Sequence, residues 1–284
     1  MYHITGAQIN EERASQAASE DQKDSKKGKI PVVEIFGPTI QGEGGVIGLQ
    51  TYFARLGGCD YRCTKCDSLH AVLPHLVKQN SAWLDQSDLA NRLLAQMKAT
   101  KTKWLTLSGG NPAMHDLSVL IGILRQAGIR IAVETQGTLW QDWLMYCDEV
   151  TISPKGPGMG ETFEGAKFSK MLSMMEMSQR EDGRKIYPPP NVSIKFVIMH
   201  AMDIEFAKDV ILQYGLQHRA QVYLSLGNPY PPGQDSDVDR FVLRNHVLDH
   251  YEQTVDDILK EPLLRDCKIL PQFHVLLWGN KQGV

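Results

Sequence analysis

The sequence predicts an α/β protein built from parallel βαβ units, and three observations carry that expectation. From Ile30 onward, short β-branched or aromatic runs alternate with amphipathic stretches, the pattern of parallel strands joined by crossover helices. The alternation repeats about six times, short of the eight steps of a closed barrel, so an open partial barrel and a doubly wound sheet both fit. The ends of the runs are rich in glycine and polar residues: Gly57-Gly58-Cys59, Ser108-Gly109-Gly110-Asn111, Glu134-Thr135-Gln136-Gly137, Ser153-Pro154-Lys155 and Gly227-Asn228-Pro229. In such folds ligands gather at the C-terminal ends of the strands, and these ends are expected to share one site.

Taken in order, Ile30–Phe36 and Gln50–Leu56 read as strands. Leu89, Leu93, Leu94 and Met97 recur at helical spacing and place a helix over Asp88–Ala99. Trp104–Leu107 is a strand followed by a helix at Leu117–Gln126. Ile129–Val133 is a strand, Trp140–Cys147 a short helix and Glu149–Ile152 a strand. Lys167–Gln179 is a Met-rich helix. Val192–Met199, Ile204–Tyr214 and Gln221–Leu226 read strand, helix, strand. Val238–Leu259 is a long helix, and a short terminal run lies around Lys268–Leu270.

Residues 1–29 read differently. They hold five acidic and five basic residues against eight apolar ones, too little apolar surface to offset the entropy of ordering. The expectation is a disordered or loosely helical tail at 1–29 and a catalytic domain at 30–284. Across all 284 residues the net charge is −3 and hydrophobic residues make up 42%. That balance gives no basic face for nucleic acid or an anionic membrane. No apolar run approaches the roughly 20 residues of a membrane span, and no signal core opens the chain. A cytoplasmic protein is expected.

The five cysteines, an odd number, do not suggest a disulfide framework. Cys147 and Cys267 stand alone and read as packing residues. Cys59, Cys63 and Cys66 form a C-x₃-C-x₂-C loop directly after a strand. Three thiolates on one loop suit a soft metal centre, zinc or iron–sulfur. Structural zinc calls for a fourth ligand, and none follows at finger-like spacing, though His70 is near. A 4Fe–4S cluster on three cysteines keeps one iron open for a small molecule, whereas electron-transfer clusters are filled by four.

This loop resembles that of the radical S-adenosylmethionine (SAM) superfamily. Ser108-Gly109-Gly110-Asn111-Pro112 is similar to the superfamily's Gly-Gly-Glu-Pro element, with Asn111 in place of Glu, and Lys65 stands where an aromatic residue is usual. Further segments narrow the match. They are Glu34 to Gly44 with Gln41-Gly42-Glu43, Thr51 to Cys59 with Arg55, Cys66-Asp67-Ser68, and the terminal Leu270-Pro271-Gln272-Phe273-His274 through Trp278 to Val284. Together, from about Ile30 to the end, they resemble the 7-carboxy-7-deazaguanine synthase family of the queuosine precursor pathway.

The resemblance implies a partial (β/α)6-type radical SAM barrel, a 4Fe–4S cluster, SAM used catalytically, and an assisting Mg²⁺. It implies a radical ring contraction of 6-carboxy-5,6,7,8-tetrahydropterin to 7-carboxy-7-deazaguanine with loss of ammonia. It also implies a homodimer and an electron donor such as flavodoxin or ferredoxin. Cys59, Cys63 and Cys66 are then the cluster ligands and Ser68 the Mg²⁺ ligand. Lys65, Cys66, Asp67, Gly110, Ser153, Pro154 and Lys155 are the SAM contacts. Ile40, Gln41, Gly42, Glu43, Arg55, Ser108, His274 and the terminal Val284 are the substrate contacts, with Trp278–Val284 folded over the pterin.

The residue types suit that chemistry. Gln41 offers a donor and an acceptor to a pterin edge, and Glu43 accepts from its N–H groups. Gly42 permits close backbone approach, and Arg55 offers a planar fork to a carboxylate. Asp67-Ser68 also fits a helix N-cap. Two other readings share the cysteine loop: a radical SAM enzyme that activates a glycyl-radical protein, and a zinc-held binding module. Neither needs Gln41, Glu43 and Arg55 around a small molecule.

Overall fold

The computed structural model describes residues 1–16, 28–180, 188–232 and 238–284. Its strands are β1 (Tyr2–Thr5), β2 (Ile30–Ile40), β3 (Gln50–Leu56), β4 (Ala82–Leu84), β5 (Trp104–Gly109), β6 (Arg130–Thr135), β7 (Glu149–Ile152), β8 (Asn191–Ile198), β9 (Gln221–Leu226) and β10 (Lys268–Pro271). Its helices are α1 (Gly6–Gln16), α2 (Leu69–Val72), α3 (Pro74–Asn80), α4 (Gln86–Thr100), α5 (Ser118–Gln126), α6 (Gly165–Arg180), α7 (Ala201–Tyr214), α8 (Arg240–Leu259) and α9 (Phe273–Trp278).

Among the described residues one sheet runs β1-β2-β3-β5-β6-β7-β8-β9-β10, with β4 beside β2. Pairing is parallel from β3 through β10. It is antiparallel where β2 meets β1, β3 and β4. Period-two alternation divides each strand between two environments. On β8, Ile194, Phe196 and Ile198 join the main apolar core, while Lys195 and Val197 line a central cavity. On β3, Tyr52, Ala54 and Leu56 pack in the core while Phe53 and Arg55 face the cavity. Leu89, Leu93, Leu120, Leu124, Met171, Ile204 and Ile211 bring α4, α5, α6 and α7 onto that core.

The sheet is strongly curled. Glu43, in the loop after β2, is ion-paired with Lys195 of β8. Five strand spacings separate β2 from β8 in the sheet order, which laid flat would be about 24 Å. The contact therefore requires closure towards a barrel, with helices outside and polar side chains inside. Of the two architectures left open by the alternation, this is the partial barrel. No described helix is long and apolar enough to cross a membrane.

Residues 2–5 depart from the expected disordered or loosely helical tail by forming a strand, while Gly6–Gln16 takes its helical alternative. β1 pairs antiparallel with β2, and the helix that follows buries Ile9 in the main core. Sparse apolar content did not prevent order here, because Ile4 and Ile9 are supplied to an existing edge and groove rather than to a core of their own. Residues 17–27 of that expected tail lie outside the described residues. Elsewhere, Trp140–Cys147 is a 3₁₀ turn at Asp142–Tyr146 rather than an α-helix, and the C-terminal segment forms α9 beyond the expected strand.

Candidate active site

The cysteine loop sits at the C-terminal end of β3, seated by backbone bonds. Gly58 N–H donates to Ala71 O (2.8 Å) and Asn111 N–H to Gly58 O (2.7 Å). Asn111 is fully buried. Its Nδ2 donates to Asp60 Oδ1 (2.8 Å) and its Oδ1 accepts from Thr135 Oγ1 (2.9 Å). The Asn in place of Glu is thus a strut between the cysteine loop and the end of β6. Cys59, Cys63 and Cys66 line one cavity, with Tyr61, Val72, Met159 and Met199 packed about them.

Burial pushes all three thiols up, Cys63 to about 11 and Cys66 to about 12. Such thiols become thiolates when a metal supplies the compensating charge. Among the described residues no three Cys, His, Asp or Glu side chains close on a single ion position. A cubane takes each thiolate on a different iron and so suits three sulfurs spread around one cavity better than mononuclear zinc does. Three buried polar atoms of cavity-lining residues also lack a hydrogen-bond partner among the described residues: His70 Nε2, Gln136 Oε1 and Gln272 Oε1. Polar atoms in that state mark where a bound molecule completes the network.

Across the cavity stand two charged groups. In the first, the antiparallel register sets Glu34 of β2 directly opposite Arg55 of β3. Arg55 Nε donates to Glu34 Oε1 (2.6 Å) and Nη1 to Ser68 Oγ (2.9 Å), and Nη2 has no partner among the described residues. Glu34 Oε2 accepts from His3 Nε2 (2.8 Å), and His70 Nε2 stands 3.6 Å from Oε1, beyond hydrogen-bond reach. Burial alone would raise the Glu34 carboxyl. The neighbouring His3, His70 and Arg55 outweigh it and hold the group far below its usual range.

The second group is a triad of buried Lys195 and Glu43 with half-buried Glu134. Lys195 is ion-paired with Glu43, and its Nζ lies 3.7 Å from Glu134 Oε1. Gln41 Nε2 donates to Glu134 Oε1 (3.2 Å), and Ser108 Oγ to Glu134 Oε2 (3.1 Å). Burial would raise the Glu43 carboxyl, but Lys195 and then His274 hold it low. Burial would lower Lys195, but Glu43 and Glu134 raise it, so it stays charged.

The expected site residues converge well. Ile40, Gln41, Gly42, Glu43, Arg55, Ser68, Ser108, His274 and Val284 line the same cavity as Lys65, Asp67, Gly110, Ser153 and Lys155. Pro154 does not line it, whereas its neighbours Ser153 and Lys155 do, with Lys155 Nζ donating to Ser153 Oγ (2.8 Å). Three roles are refined. A Cβ on Gly42 would meet His274 Nδ1 at 2.6 Å, so the close approach there is to α9. The side-chain Oε1 of Gln41 accepts from the Gly42 N–H (2.7 Å) and its Nε2 donates to Glu134, so Gln41 holds its own loop and Glu134. Ser68 precedes α2 without capping it; its hydroxyl donates to Asp67 Oδ1 (2.9 Å) instead.

Lys195, Glu34 and Gln272 were missed, and Glu134 was left without a role. A signal existed for two of them: Lys195 and Glu34 are single charges inside otherwise apolar strands, where an unpaired charge is costly. Their partners lie 152 and 21 residues away, so pattern alone did not connect them.

Residues 40–146 match the model of a 4Fe-4S single cluster domain. A 7-carboxy-7-deazaguanine synthase from Bacillus subtilis is 39% identical over 260 residues, covering 90% of this chain and 98% of the relative. One from Bacillus cereus is 37% identical over 257 residues, covering 90% and 99%. In fold, the crystal structure of QueE from Escherichia coli superposes with a TM-score of 0.60 at 21% identity, covering 89% of this chain and all of that one. Identity at this level across nearly the whole length sets aside the glycyl-radical activator and the zinc module, and the chain belongs to the 7-carboxy-7-deazaguanine synthase family.

Proposed function

We propose that the chain converts 6-carboxy-5,6,7,8-tetrahydropterin to 7-carboxy-7-deazaguanine with loss of ammonia, as a radical SAM lyase. The observation that carries this reading is the meeting of the three cysteines with Arg55 and the Glu43–Lys195–Glu134 triad around one cavity. Cys59, Cys63 and Cys66 would hold a 4Fe–4S cluster, which together with SAM would supply radical hydrogen-atom chemistry. Lys65, Asp67, Gly110, Ser153 and Lys155 hold SAM. Arg55, with a free Nη2, grips the substrate carboxylate. Glu43, held ionised by Lys195, and Glu134 accept from the pterin N–H groups. Ser108 and Gln41 keep Glu134 in place, and the walls exclude water. What the protein contributes is orientation of substrate against cofactor.

Mg²⁺ fits Ser68, whose oxygen has Asp67 Oδ1 2.9 Å away, hard donors of the kind the ion prefers. The hydroxyl also accepts from Arg55, and a cation beside that guanidinium is disfavoured until an anion draws the arginine off. Mg²⁺ is therefore expected to bind at least about tenfold more tightly with substrate present. Titration of the ion with and without carboxypterin checks this, and equal affinities would sink it.

The C-terminal segment closes the site in this reading. Gly279 through Val284 line the cavity. Asn280 anchors them, donating to Tyr230 O (2.8 Å) and accepting from Asn228 Nδ2 (2.8 Å). Removing residues 280–284 is expected to lower kcat/KM by about tenfold or more through loss of substrate positioning; full activity in the truncated protein would refute the closure.

A flavodoxin- or ferredoxin-type donor and a homodimer belong to the same reading and rest on the family resemblance. The deciding experiment is anaerobic turnover with carboxypterin, SAM and reductant, with the product identified by mass. A reconstituted, brown protein that consumes no carboxypterin would overturn the substrate assignment.

A further inference from the structure

β1 is the edge strand of the sheet beside β2, and its register brings one side chain up to the residues that line the cavity. Its register places His3 opposite Phe36 and Thr5 opposite Glu34. His3 Nε2 donates to Glu34 Oε2 at 2.8 Å, and the imidazole meets the Phe36 ring edge-on at 6.2 Å between centroids. Phe36 in turn stacks on Phe53 at 4.9 Å, with the Arg55 guanidinium 5.8 Å from the Phe36 ring. Phe36, Phe53, Glu34 and Arg55 all line the cavity. On its other side the imidazole meets the C-terminal segment: a Cβ built on Gly283 would fall 2.5 Å from its ring atoms. The side chain is about one-third exposed, at 35%, and so contributes little to the core.

From this juxtaposition we infer that His3 is a positioning residue for substrate: it fixes Glu34, which aims the Arg55 fork at the substrate carboxylate, and it braces Gly283 of the closing segment. The inference rests on the reading of Arg55 as the carboxylate grip. A carboxylate such as Glu34 has two oxygens. Arg55 uses one, and without a donor on the other the carboxylate rotates about its terminal torsion, taking the guanidinium with it. His3 supplies that donor from an element outside the strand–helix framework, so the segment read from sequence as a tail becomes part of the site. Outer-sphere donors of this type contribute to affinity without touching the ligand.

The test measures binding rather than turnover. Equilibrium dialysis with the reconstituted, SAM-loaded full chain compares 6-carboxypterin with pterin, which lacks the carboxylate, using the fluorescence of each. Wild type, His3→Ala and His3→Gln are compared, Gln being able to donate to Glu34. The expected result is an about tenfold weaker Kd for 6-carboxypterin in His3→Ala, little change for pterin, and recovery in His3→Gln. A general structural defect would weaken both ligands alike and would not be rescued, which overturns the inference. So does an unchanged 6-carboxypterin Kd in His3→Ala while wild type still prefers the carboxylated ligand. If wild type itself binds both ligands equally, the carboxylate grip fails, and His3 loses its role with it.

Discussion

Arg55→Met is expected to lower kcat/KM for the carboxypterin by a hundredfold or more, since losing one partner of a buried, hydrogen-bonded charge pair costs about 2–5 kcal/mol. Two losses coincide. The substrate carboxylate loses its fork, and Glu34, 5% exposed at its side chain, loses the charge paired with it. Arg55→Lys retains charge but not the fork that reaches Glu34 and a ligand together, so it recovers little. Steady-state kinetics check this, with most of the loss in KM. A kcat/KM within about threefold of wild type, less than a charged hydrogen bond is worth, would mean that Arg55 does not hold substrate.

Lys195→Met is expected to be the most destabilising change at the site, by about 3–5 kcal/mol in unfolding free energy. The methionine fills similar space, but Glu43 and Glu134 are left facing each other without a cation. The double variant Lys195→Met/Glu43→Gln should recover a large part of the loss, because one uncompensated charge is removed. The pH dependence has a definite sign. Glu43 is held below its ordinary value of 4.5 by Lys195. Its contribution to stability is therefore complete above that value and lost as pH falls through the depressed one. The gap between wild type and Lys195→Met should accordingly narrow as pH drops below about 4.5. Urea unfolding at several pH values measures it. A single-variant loss under about 1 kcal/mol, the worth of a surface pair, would show that the triad is not a buried unit.

Much of the framework was legible because it rests on local rules. Gln221–Leu226 and Glu149–Ile152 were read to the residue, since β-branched runs bounded by turn residues declare themselves. The helix at Gln86–Thr100 begins two residues before and ends one residue after the expected Asp88–Ala99. The cysteine loop was legible from its spacing, and the Gly-Gly element at Ser108–Pro112 and Gln41-Gly42-Glu43 from their resemblance to family motifs, because each is a short contiguous segment.

What escaped has a common cause. β1 is four residues long and α1 has a weak apolar stripe, so neither signals itself; each exists because β2 offers an unpaired edge and the core offers a groove for Ile9. The length of the alternation allowed a doubly wound sheet as readily as a partial barrel, and the choice was made by curvature. Glu34 and Lys195 were visible as isolated charges in apolar strands, but their meaning lay in partners that only folding brings near.

Sequence by itself determined the chemistry available: three thiols on one loop, a fork, carboxylates, and strands ending in glycine and polar residues. Those depend on residue type and on spacing within a few positions, which the chain carries whether folded or not. Only the tertiary structure decided which charges neutralise which, that the sheet curls until Glu43 reaches Lys195, and that His3 joins the site through Glu34. Ion pairs and hydrogen bonds fall off over a few ångströms, and separation along the chain says nothing about distances of that size.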